Sequence, residues 1–151
     1  MSAVWRIARG NEGAADLFEH YKEQGFVAYL LWGNQMTDSS KMLGHLAGAM
    51  QFPYYFGGNW HAFDESFGEK LESEHKMAIV ILDGEEVGID EEQSLRDLAT
   101  SLNYASDDVQ KLSDQSRLEV VVAISEVQPQ RRRWIQAGAI FRLEGKVESD
   151  G

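Results

Sequence analysis

The side chains with which this chain could hold a metal or move a proton are its four histidines, His20, His45, His61 and His75, and its 25 aspartates and glutamates. No two histidines stand at ligand spacing, and there is no cysteine, so neither a zinc centre, a disulfide nor thiolate chemistry is expected. The segment "FGGNW" lacks the lysine and the spacing of a phosphate-binding loop and does not follow a strand, and "DGEEVGIDEEQ" lacks the alternating ligands of a calcium loop. No nucleophile elbow is present. The residues therefore predict no enzyme, no metal and no cofactor. The chemistry they do suggest is charge recognition.

One stretch concentrates that chemistry. "FPYYFGGNWHAF" (Phe52 to Phe63) sets aromatic rings around two glycines, and Asn59 then stands where a helix N-cap is wanted. A helix over about Trp60 to Glu72 puts Trp60, Phe63, Phe67 and Leu71 on one stripe, which should face a sheet. His61, Glu65, Glu69 and Glu72 fall on an adjacent stripe that should face water, with Asp64 between the two. Like charges four apart cost a helix about 0.2–0.5 kcal/mol per pair, so solubility alone would be better served by a lysine on that face. Tyr and Trp beside acidic groups suit an interface for a basic partner. The Gly57–Gly58 pair would let such a partner approach the main chain. One or two of Tyr54, Tyr55 and Phe56 should pack beneath the loop.

The surrounding elements must hold that helix. "FVAYLLW" (Phe26 to Trp32), "KMAIVILDG" (Lys76 to Gly84) and "LEVVVAIS" (Leu118 to Ser125) are short apolar runs that predict buried strands. Between them, Asp38 or Ser39 should cap a helix carrying Met42, Leu43, Leu46, Ala47 and Met50, stopped by Pro53. "DEEQSLRDLATSL" predicts another helix, and the polar stretch from Asn103 to Arg117 a further short one. Strands separated by helices indicate an α/β fold with a parallel sheet and crossover helices. Residues 1–25 form an N-terminal extension packed on the domain, a small strand at "VWRIARG" followed by a helix from Asn11 to Gln24. Residues 26–125 form the domain. Residues 126–151 form a C-terminal extension, with a strand predicted at Ala139 to Leu143.

With 151 residues, 43% of them hydrophobic, the chain can bury a core without staples. Its formal net charge of −11 repels nucleic acid and anionic membrane and attracts basic partners. Against that background the triplet Arg131 to Arg133 suggests a solvated edge or an internal partner for acidic groups. No apolar leader or membrane-spanning run is visible, so a cytoplasmic location is the simplest expectation.

"FPYYFGGNWHAFDESF" resembles the barstar family, intracellular inhibitors of microbial ribonucleases. The resemblance rests on Pro53, the aromatic pair Tyr55 and Phe56, Gly57, Asn59, Trp60 and then Glu65. It is tight over Phe52 to Phe67 and looser, as an order of elements, over Phe26 to Ser125. It implies a three-stranded parallel sheet with crossover helices, and a second helix and preceding loop that plug a ribonuclease active site. The partner-binding residues it implies are Tyr55, Phe56, Gly57, Asn59, His61, Asp64 and Glu65, with Glu65 at the acidic position that mimics an RNA phosphate. His61 stands where the family is usually acidic, and Asp64 where its prototype has tryptophan. Glu91, Glu92 and Asp97 are candidates for a further acidic contact from a later helix. The expected function is thus an inhibitor or immunity protein that blocks a ribonuclease or related toxin, itself a basic protein. The alternative is a barstar-fold regulatory or interaction protein with a basic non-nuclease partner. The oligomeric state is left open.

Overall fold

The computed structural model describes residues 3–53, 56–113, 115–143 and 146–147. The elements run in the order β1 (Val4–Arg9), α1 (Gly10–Glu23), β2 (Val27–Trp32), α2 (Ser39–Met50), α3 (Trp60–Glu74), β3 (Lys76–Leu82), α4 (Glu92–Gln110), β4 (Arg117–Ile124), α5 (Val127–Ala137), β5 (Arg142–Leu143) and β6 (Lys146–Val147). The first four strands in spatial order β1-β4-β3-β2 make one sheet, and β5 and β6 form a small antiparallel ladder. All pairings in the main sheet are parallel. The α/β class and the parallel sheet are as expected, but the sheet has four strands rather than three. The added strand is β1, which pairs with β4 in register from Val4↔Glu119 to Arg9↔Ile124. Its sequence alternates, with Trp5 and Ile7 on one face and Arg6 and Ala8 on the other, so it can serve a sheet covered on both sides.

The two faces bury different cores. Met77, Ile79 and Ile81 of β3 and Leu118, Val120 and Val122 of β4 point to the larger one, with Phe63, Phe67 and Leu71 of α3, Leu95 and Leu98 of α4, and Trp134 of α5. Ala78 and Val80, with Val121 and Ala123, point the other way and are covered by Ala14 and Tyr21 of α1. The helices on the larger face therefore include α3, and among the described residues α1 is the helix that covers the reverse face.

Two further expectations need correcting. The polar stretch after Leu102 holds no separate helix. Instead α4 continues to Gln110, because Ser101, Ala105, Ser106 and Val109 prolong its buried side with small residues that carry little hydrophobic signal. The C-terminal segment contains α5, which was not expected. Pro129 falls in its first turn, where a missing N–H costs nothing. The Glu85 carboxylate holds the turn that leads into α5, accepting from Ser125 N at 2.8 Å, Ser125 Oγ at 2.5 Å and Glu126 N at 3.2 Å. Burial alone would raise the pKa of Glu85, but those donors outweigh it and hold the carboxyl below its ordinary range. The arginine triplet is an internal partner in part: Arg131 is buried, and Arg133 pairs with Glu92 at 3.0 Å and donates to the carbonyl of Val87.

Candidate partner-binding site

The site is built around α3. Asn59, in extended conformation, accepts from Ala62 N at 2.8 Å through its side chain and so starts the helix. Phe63, Phe67 and Leu71 are buried as their stripe predicts, while Trp60 is half-buried at the edge of the core. An aromatic relay fastens the loop to this stripe. Phe56 packs on Phe52 at 5.2 Å, Phe52 on Phe63 at 5.8 Å, Trp60 on Phe63 at 5.5 Å, and Phe63 stacks on Phe67 at 5.2 Å. Phe56 is thus a ring that packs beneath the loop. Tyr54 and Tyr55 lie outside the described residues.

The two glycines play different parts. Gly58 has φ of +70°, a left-handed conformation that favours glycine. Gly57 lacks such a requirement: it is exposed, and a Cβ there would meet only ordinary contacts with Asn59 and Ala62.

The outer stripe is as exposed as its spacing requires. His61, Glu65, Glu69 and Glu72 all face solvent. His61 and Glu65 are 87% and 68% exposed, and His61 Nε2 lies 3.3 Å from Glu65 Oε1. Asp64 is half-buried. Its Oδ1 is shielded from solvent and, among the described residues, has no hydrogen-bond partner. The helix's own cation, Lys70, is occupied nearby, 3.7 Å from Glu74. Among the described residues, no group of three His, Asp or Glu is arranged to hold a metal ion. No helix among them is long and apolar enough to cross a membrane.

The later acidic residues do structural work. Glu91 caps α2 by accepting from Ser39 N at 2.8 Å, beside the expected cap in which Asp38 accepts from Lys41 N at 2.9 Å. Glu92 is held by Arg133, and Asp97 accepts from Gln93 Nε2 at 3.0 Å. Ser39 also links the site to this end of the sheet, because its Oγ accepts from Trp60 Nε1 at 3.4 Å. Sequence spacing gives no sign of the Glu91–Ser39–Trp60 chain, since its members are 52 and 21 residues apart.

The structure is thus a parallel α/β layer whose acidic, solvent-facing helix follows an aromatic loop. The model of the family described as Barstar (barnase inhibitor) matches residues 26–124, and the chain belongs to the barstar family. The match runs from the start of β2 to the end of β4, leaving β1, α1 and α5 outside it. No match is found among curated proteins or among solved structures.

Proposed function

We propose that this protein is an inhibitor or immunity protein that blocks the active site of a microbial ribonuclease with α3 and the loop before it. The observation that carries this is the exposed stripe His61, Glu65, Glu69 and Glu72, beside a loop whose Phe52 and Phe56 rings pack on the core, in a chain of net charge −11. Membership of a family described as barnase inhibitors supports the ribonuclease as target. A ribonuclease cleft must be basic to hold RNA phosphates, and a carboxylate entering it forms charge-assisted hydrogen bonds with its arginines and lysines.

In this reading each residue has a distinct role. Glu65 takes the phosphate position. His61 sits beside it, and a partner cation displaces His61 from Glu65. Tyr55 fills a pocket, and Phe56 fixes the loop on the core. The exposed main chain at Gly57 admits the partner's backbone, and Asn59 sets the angle of the helix. Asp64, half-buried beside the stripe, adds negative charge to the face that a basic partner meets. No nucleic acid, membrane or cofactor takes part, and the cytoplasm is the proposed compartment.

The direct test is Glu65→Ala, measured by calorimetry against a barnase-type ribonuclease. Because the His61–Glu65 pair is exposed, removing it should shift folding stability by at most about 1 kcal/mol. Affinity should fall by about tenfold or more, the loss of one charge-assisted contact. Equal affinity for both proteins would reject this role for Glu65.

A further inference from the structure

The reverse face of the sheet carries a second polar site. Below the C-terminal turn of α1 lies a cavity of about 100 Å³, lined by Arg6, His20, Tyr21, Gln24, Arg117 and Glu119 among others. Arg6 lies on β1, His20 and Tyr21 on α1, and Gln24 at the C-cap of that helix, all outside the segment matched by the family. Arg117 and Glu119 lie on β4. The cavity is thus made jointly by the family domain and the strand and helix that precede it.

Glu119 is the charged residue inside an apolar strand, and only 2% of its side chain is exposed. A carboxylate so placed needs compensation. It accepts from Tyr21 Oη at 2.6 Å and pairs with Arg117 at 2.6 Å and Arg6 at 3.4 Å. Burial, and then the Glu119 carboxylate, push the Tyr21 hydroxyl well above its ordinary value, so it stays a donor. Lys76 completes the cluster. Its Nζ donates to Gln24 O at 3.0 Å and sits 4.7 Å over the Phe26 ring, and the Arg117 guanidinium lies 6.0 Å from the centre of the same ring.

The charges here do not cancel. Glu119 contributes one negative charge and the α1 C-terminus about half of another. Arg6, Arg117 and Lys76 bring more positive charge than that, before His20 is counted. In a chain of net charge −11, this is a local reversal of sign. Each guanidinium has five N–H donors, and Glu119 engages only part of each fork. The arginine side chains are 45% and 54% exposed, so donors are left for a group arriving from solvent.

We propose that this cavity binds a small oxyanion, either free phosphate or the phosphate of a small phosphomonoester, between the guanidiniums of Arg6 and Arg117 with His20 at the rim. The anion ties β1 and α1 to β4. It sits on the face of the sheet opposite α3, so its binding is independent of any protein partner engaged there.

The test is a titration of the full chain with inorganic phosphate, followed by amide NMR, with chloride at matched ionic strength as control. Saturable shifts are expected at Arg6, His20, Gln24 and Arg117, with α3 unmoved. Arg117→Gln should weaken binding by about tenfold, as for one charge-assisted contact. Glu119→Gln keeps an acceptor for Tyr21 but removes the opposing charge, and should tighten it several-fold. Glycerol phosphate as a second ligand separates the sources: tighter binding than phosphate identifies a phosphomonoester, weaker binding the free ion. Shifts that match chloride's, or an affinity that Glu119→Gln fails to raise, would overturn the proposal even if Arg117→Gln misfolds.

Discussion

His61 and Glu65 lie one helical turn apart on α3, and their 3.3 Å contact leaves both side chains largely in solvent. Such a pair contributes little to folding, so selection for stability does not explain it. A histidine elsewhere in the molecule behaves differently. His45 is half-buried, and its Nε2 accepts the Trp32 N–H at 2.9 Å. Burial lowers its proton affinity below the ordinary imidazole value, and protonation at Nε2 would also destroy the acceptor. The sign follows from linkage. Between the lowered folded value and the ordinary value near ~6.5, the unfolded chain binds more protons, so stability rises with pH there. Stability should therefore fall as pH drops from neutrality through that window, and level off for this group below its folded value. Urea unfolding at a series of pH values should show this slope, and His45→Gln should flatten it. An unchanged slope in the variant would assign the effect to other groups.

At the scale of the element, α3 explains why its sequence is so readable. Its cap, buried stripe and exposed stripe are all local, and each follows from residue spacing around Asn59, Phe63, Phe67 and Leu71. Asn59→Ala should cost about 1 kcal/mol of stability, as for other N-caps, while Asn59→Asp, which keeps an acceptor, should cost much less. Thermal unfolding of the two variants checks this, and equal losses would mean that the cap bond to Ala62 contributes nothing. By contrast, α5 is hidden in the sequence. Arginines fill its middle, Pro129 resembles a boundary, and its anchors are the buried Arg131 and Trp134. The turn that leads into it is held by Glu85, 40 residues before Ser125, which no local pattern reveals. The same holds for Glu91, a candidate for the family's acidic contact from a later helix, whose carboxylate caps α2.

At the scale of the molecule, the three apolar runs and the helices between them disclosed the α/β class, because β3 and β4 are buried on both faces, although β2, expected to be buried as well, is an edge strand with Val27 and Trp32 exposed. What stayed illegible was the place of β1, since its partner strand begins more than a hundred residues later. That pairing has a consequence for folding. Removing residues 1–25 would strip β1 from β4 and uncover Ala78, Val80, Val121 and Ala123 beneath α1. We expect residues 26–151 of this chain to lose cooperative unfolding and to aggregate, which circular dichroism and light scattering would detect. A soluble segment with a sharp transition would show that the preceding strand and helix are dispensable.

The molecule as a whole sets an acidic helix on one side of this sheet, clear of the α1 face, and the central claim is that this helix fills a basic nuclease cleft. The most direct measurement titrates the full chain into a barnase-type ribonuclease while following RNA cleavage at low and moderate salt. The account predicts stoichiometric loss of cleavage, weaker as salt rises, because opposite charges lose attraction over a shorter screening length. Undiminished cleavage with the chain in excess at low salt would contradict it.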